Sequence, residues 1–84
     1  MKRRKLLQRV VRNMQNVKFT DLVNLVEGFG FKLQRTSGSH HIFKHPAIPE
    51  LINLQEVHGE AKPYQIRQFL RLTERYALTL EDEP

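Results

Sequence analysis

Phe31-Lys32-Leu33-Gln34-Arg35-Thr36-Ser37-Gly38-Ser39-His40-His41-Ile42-Phe43-Lys44-His45-Pro46 is the stretch on which the fold turns. Phe31 to Arg35 alternates apolar and polar residues, the pattern of a half-buried strand. Thr36-Ser37-Gly38 supplies a turn, and Ser39 to His45 returns as the second strand of a hairpin. Pro46, which has no N–H for a ladder, stops it. Ala47-Ile48-Pro49-Glu50 reads as loop and Leu51-Ile52-Asn53-Leu54-Gln55 as a third strand. Glu56 to Lys62, with His58 and Gly59, reads as a second loop.

Helical periodicity flanks this sheet. Upstream, residues 3–14 place Leu6, Leu7, Val10, Val11 and Met14 on one side and Arg3, Arg4, Arg9 and Arg12 around the other. Asn13 to Lys18 suits a connector. A second helix is expected with Thr20 as N-cap and Asp21 in its first turn, where a negative charge suits the dipole. Leu22, Val23, Leu25, Val26 and Phe29 are its apolar positions, and Gly28 and Gly30 are expected to terminate it. Downstream, Pro63 fits the first position of a helix running to about Ala77. Ile66, Phe69, Leu70, Thr73 and Ala77 would form its inner face. The order α-α-β-β-β-α predicts an α+β fold, a small three-stranded antiparallel sheet with helices on one face. Residues 1–17 form a basic N-terminal helical extension, and residues 18–84 the domain proper, with a short acidic end at Glu81-Asp82-Glu83.

Bulk composition narrows the function. Eighty-four residues with 39% apolar content suit one small folded domain. There is no cysteine, hence no disulfide framework or thiolate metal site, which fits a reducing cytoplasm. The start Met1-Lys2-Arg3-Arg4-Lys5 superficially resembles a signal peptide, but charge interrupts the following residues, so export is not expected. No run approaches the ~20 apolar residues that span a bilayer. Net charge is +5, and six of the fourteen basic residues lie in the first twelve positions. Such a surface attracts polyanions, of which nucleic acid is the commonest in a cytosol.

Three of the four histidines lie within six residues, at 40, 41 and 45. A strand sends neighbours to opposite faces. With Phe43 inward, His41 and His45 share its face, while His40, Ile42 and Lys44 lie on the open one. The opposite phase exposes His41, Phe43 and His45. Burial of the larger aromatic favours Phe43 inward. An accessible His40 beside Lys44 and Arg35 suits RNA cleavage: imidazole takes the 2′-OH proton, and cations stabilise the charge developing on phosphorus. Ser39 and the backbone at Gly38 could hold a phosphate. By residue type alone, a surface or structural histidine is the commoner role. Metal binding is the rival chemistry, through His41, His45 and His58. The chain has neither a His-Glu-x-x-His motif nor a cysteine pair, so no metal is expected.

Arg67, Arg71 and Arg75 recur at four-residue intervals behind Lys62, a basic ridge suited to a solvated face, a polyanion or an acidic partner. As an RNA track it would supply affinity through phosphates rather than sequence readout.

Val26-Glu27-Gly28-Phe29-Gly30 together with the hairpin through Pro46 resembles the signature of HicA-type toxins, the YcfA-like mRNA interferases of bacterial toxin–antitoxin systems. The diagnostic element is Gly38-Ser39-His40 followed by Phe43, after a helix ending in Gly-Phe and a strand ending in Arg. The likeness covers about residues 18–77. It implies a double-stranded-RNA-binding-domain-like fold and a metal-independent, cofactor-free endoribonuclease cleaving mRNA in the cytoplasm, as part of a stress response. His40 matches the catalytic histidine, and Gly38 and Ser39 its flanking pair. His41 and Lys44 are expected in support, with Lys32, Arg35, Lys62, Arg67, Arg71 and Arg75 contacting RNA. The implied partner is a HicB-type antitoxin that blocks the active site. Two segments depart from the family pattern: residues 1–17 lie outside the usual toxin, and Leu51 to Tyr64 differs from its commoner ending, as a subgroup would. The alternatives are a non-catalytic RNA-binding module of the same fold and an interaction protein with an acidic partner.

Overall fold

The computed structural model describes residues 2–81. Its elements are α1 (Arg3–Arg12), β1 (Val17–Lys18), α2 (Phe19–Gly28), β2 (Lys32–Ser37), β3 (His40–Lys44), β4 (Leu51–Gln55), β5 (Glu60–Ala61) and α3 (Pro63–Arg75). Strands β2, β3 and β4 form the expected antiparallel sheet with β3 in the middle. Phe43, Ile52 and Leu54 on its inner face join Leu22, Leu25 and Val26 of α2 and Ile66 and Phe69 of α3 in one core. Phe69 sits edge-on to both Phe29 and Phe31, with centroids 5.5 and 6.0 Å away. Such tilted pairs bring the negative ring face against a positive edge. The architecture is α+β, with helices on one face of the sheet.

The first helix packs into this same core through Leu6 and Val10, both 2% exposed. It stops at Arg12, short of Met14, and the Asn13 side chain accepts a bond from the Gln15 amide at 3.0 Å. This local turn competes with continued helix. Arg3 ties α1 to α2 through Asn24 at 2.9 Å and to the chain end through the Glu81 carbonyl at 3.2 Å. Asp82 and Glu83, the rest of the expected acidic end, lie outside the described residues.

Two expected connectors contain strands. Val17 pairs with Ala61 and Lys18 with Glu60, so β1 and β5 make a second, two-stranded sheet. In the second connector, Val57 and Glu60 exchange backbone bonds of 3.0 and 2.9 Å around His58 and Gly59. Both turn residues have positive φ, at 52° and 76°, the signature of a tight hairpin turn. Two-residue strands carry no readable alternation, so only tertiary pairing reveals them.

This small sheet also moves the start of α2. The helix begins at Phe19 after Lys18, and Thr20 is an exposed helical residue rather than the N-cap. The Phe19 amide donates to the Gly59 carbonyl at 2.9 Å. A distant backbone group thus satisfies one of the first-turn amides that have no partner within the helix. At the other end, Phe31 N donates to Val26 O and Gly30 N to Glu27 O. This bond pair is a Schellman motif with Gly30, φ 97°, at its left-handed position. Gly28 has a different role: it is the last helical residue, and a Cβ there would lie 2.7 Å from Arg3 and 2.8 Å from Leu80.

The last helix ends the same way, two residues earlier than expected. Leu78 N donates to Thr73 O and Ala77 N to Glu74 O. Ala77 takes the left-handed position with φ 50° and is exposed, not on the inner face. Leu72 and Gln65 are buried in its stead.

Candidate active site on the open sheet face

The two-residue turn Gly38–Ser39 joins β2 to β3, with Ser37 opposite His40. Strand β2 therefore runs two residues further than alternation suggested, and Ser39 belongs to the turn. Gly38 takes φ 59°, which a tight hairpin turn requires and glycine supplies without strain. The Ser39 carbonyl accepts from Glu56 N at 3.0 Å and from His41 Nδ1 at 3.1 Å. Its hydroxyl accepts a long bond, 3.4 Å, from Gln55 Nε2. These bonds fix the backbone immediately before His40.

Cross-strand partners share a face. Phe43 is 1% exposed and inward, so the partner sets define both sides. Leu33, Phe43 and Ile52, and Thr36, His41 and Leu54, form the inner rows. The open rows are Lys32, Lys44 and Leu51; Arg35, Ile42 and Asn53; and Ser37, His40 and Gln55. The expected phase of β3 is the observed one. Among the described residues, these open rows carry three cations and no carboxylate.

A bulge between Leu33 and Arg35 shapes this face. Strict alternation would send Arg35 inward with Leu33. Gln34 is the extra residue, and after it Arg35 pairs with Ile42 on the open side, as bulges re-aim side chains. Arg35, Ser37, His40, Ile42 and Asn53 consequently line one shallow depression. Lys44 shares the face but stands four residues from His40, ~13 Å along the strand, beside Lys32.

His40 is exposed, and its Nδ1 lies 3.1 Å from Asn53 Oδ1. A carbonyl oxygen only accepts, so Nδ1 carries the hydrogen of this bond. In the neutral ring, Nε2 then holds the free lone pair. The other histidines are placed differently. His41 is half-buried on the inner face, its ring 4.8 Å from Phe19. His45 lies just past the strand, 9% exposed, where Nδ1 accepts from Ala47 N at 3.0 Å and the ring meets Phe31 edge-on. His58 is in the turn before β5. Among the described residues no three side chains of metal-binding type come together.

The six cations expected at RNA are divided. Arg35 lies with His40, and Lys32 shares the open face beside Lys44. Arg67 and Arg71 line a groove between α3 and α1, Lys62 borders a depression near Gln15 and Asn16, and Arg75 bonds Glu50 at 3.2 Å. Asn53, Ser37 and Gln55 are site residues that sequence reading missed. Alternation in β4 puts Asn53 opposite in phase to Leu54, but its place beside His40 depends on strand register.

No helix among the described residues is long and apolar enough to cross a membrane. No curated protein and no solved structure matches the chain. A family model described as HicA toxin of bacterial toxin-antitoxin matches residues 19–74. That span runs from the first residue of α2 nearly to the end of α3, and so contains the hairpin, the bulge and the depression around His40. With most of its length matched, the chain belongs to the HicA toxin family of bacterial toxin–antitoxin systems.

Proposed function

We propose that this toxin is a metal-independent endoribonuclease that cleaves mRNA in the cytoplasm, with His40 as general base. The observation that carries the reading is the His40–Asn53 bond, which leaves Nε2 available in a depression shared with Arg35. RNA lying across the open face would meet Lys32, Lys44 and Arg35, whose positive charges attract its phosphates. Nε2 takes the proton of a ribose 2′-OH, and the freed oxygen attacks the adjacent phosphorus. Arg35 is the cation placed to stabilise the added charge on the phosphoryl oxygens. The 5′ oxygen departs with a proton from the imidazolium, leaving a 2′,3′-cyclic phosphate. Asn53 accepts the Nδ1 hydrogen throughout, holding the ring and its tautomer. Gly38 and Ser39 set the backbone, and His41 anchors the Ser39 carbonyl from the inner side.

The family implies an antitoxin partner, and we take it to be of HicB type. The test is cleavage of a single-stranded RNA by wild type and His40→Ala. Loss of a general base removes about 10²–10⁴ of the rate, while RNA binding stays. A substrate with 2′-deoxyribose at the cut site should resist, and a chelator should leave the rate unchanged. Undiminished cleavage by His40→Ala would overturn the assignment. If neither protein cleaves and both bind, the chain is an RNA-binding module instead.

A further inference from the structure

A second surface lies away from the sheet. Leu7, Val11 and Met14 of the α1 side and Leu70 of α3 floor an open groove, and Arg67 and Arg71 stand along its α3 rim, with Glu74 at one end. Val11 is 54% exposed there, one of the few large apolar side chains left in water. Neither arginine forms an ion pair or side-chain hydrogen bond among the described residues.

An aliphatic floor offers nothing to a sugar–phosphate backbone, which is bound through donors and charge. It does reward apolar side chains withdrawn from water. Unpaired arginines on the rim add a demand for acid. One ligand meets both: a helix with aliphatic residues on one face and carboxylates beside them. A second copy of this chain fits poorly, since its net charge is +5 and like-charged surfaces repel. We propose that the α1–α3 groove is the docking site for an acidic amphipathic helix of the antitoxin partner. Three of its four floor residues, Leu7, Val11 and Met14, lie before residue 19, where the family match begins. The groove therefore distinguishes the cognate antitoxin from those of toxins lacking α1, because specificity is a difference between partners. The proposal rests on family membership and not on the chemistry of His40, so a His40→Ala protein that still cleaves leaves it standing.

The experiment takes the antitoxin candidate from the reading frame adjacent to that of this chain and measures its affinity for the full toxin by calorimetry. Variants are Val11→Asp, the double Arg67→Glu/Arg71→Glu, and Thr20→Ala as control. All four positions are exposed, and circular-dichroism melts check that each variant is folded. Each groove variant should weaken binding by about tenfold or more, and the double variant should also flatten its salt dependence. Thr20→Ala, outside both the groove and the open sheet face, should stay within about twofold of wild type. Wild-type affinity in both groove variants overturns the proposal, as does failure of the neighbouring protein to bind at all. So does an arginine effect that appears only in binding of a short single-stranded RNA, which would make the ridge an RNA track. A toxin dimer that Val11→Asp converts to monomer would give the groove to a second copy and equally overturn it.

Discussion

Asn53 is the sharpest point at which to test the proposed chemistry. Its Oδ1 lies 3.1 Å from His40 Nδ1, within the normal range for an N–H···O bond. Both side chains are exposed, so in the ground state the bond is worth about 0.5 kcal/mol, the low end for a neutral pair. When Nε2 has taken the 2′-OH proton, the donor is a cation, and such bonds are worth about 1.5–3 kcal/mol. The difference, about 1–2.5 kcal/mol, acts only on the transition state and corresponds to roughly 5- to 70-fold in kcat. Asn53→Ala should lose that factor in kcat with KM little changed and no loss of thermal stability beyond the small ground-state term.

Asn53→Asp separates positioning from simple contact. A carboxylate about 4 Å from the ring charge favours imidazolium by ~1 kcal/mol in a water-like environment and up to ~4 kcal/mol in a protein-like one. Exposure selects the lower figure, and the added carboxylate moves the acidic limb of the pH–rate profile upward. The direction is fixed: a stabilised imidazolium persists to higher pH, so the free base appears later as pH rises. Above that limb, Asn53→Asp should regain most of the kcat lost in Asn53→Ala. The assay is single-turnover cleavage of one RNA across the neutral range. An Asn53→Ala rate within about twofold of wild type, together with an unmoved limb in Asn53→Asp, would refute a positioning role.

Three further expectations concern the frame of the site. Leu6→Ala should cost about 2–4 kcal/mol in urea unfolding, the usual figure for a fully buried leucine, because Leu6 is 2% exposed in the common core; a cost near zero would mean that α1 contributes nothing to folding. Ala77→Gly should stabilise by about 1 kcal/mol, since alanine at φ 50° bears a strain that glycine lacks, and a lower melting temperature would contradict the Schellman ending. The Tyr76 hydroxyl donates to Glu50; this bond, then burial, then the Glu50 charge hold its pKa above the ordinary 10.0, against the opposing pull of Arg75. A raised folded value favours the protonated phenol, so its contribution is complete below pH 10 and fades as pH rises through the folded value. Wild type should therefore exceed Tyr76→Phe in stability at neutral pH, and the gap should close in alkali; a pH-independent gap would detach the bond from stability.

What could be read from the sequence follows from how far each signal reaches. The large residues of β3 fix its phase: one inward Phe43 suffices to place His40, Ile42 and Lys44 outside, and the structure agrees. The β4 bounds and the start of α3 at Pro63 are equally local. Thr20 misled because a cap rule sees four residues, whereas the amide of Phe19 is served by Gly59, forty positions away. Arg35 shows the same limit at the site. Alternation counted from Phe31 and Leu33 turns it toward the core, and only the unpaired Gln34 returns it to the face of His40. A bulge has no periodicity of its own; it appears only in the pairing of two strands of unequal count, here after Leu33 pairs with Phe43. Asn53 needs one register more, that of β4 on β3, set by the loop from His45 to Glu50. The motif names the histidine, but its neighbours on the open face, one cation and one amide, are delivered by the pairing of strands.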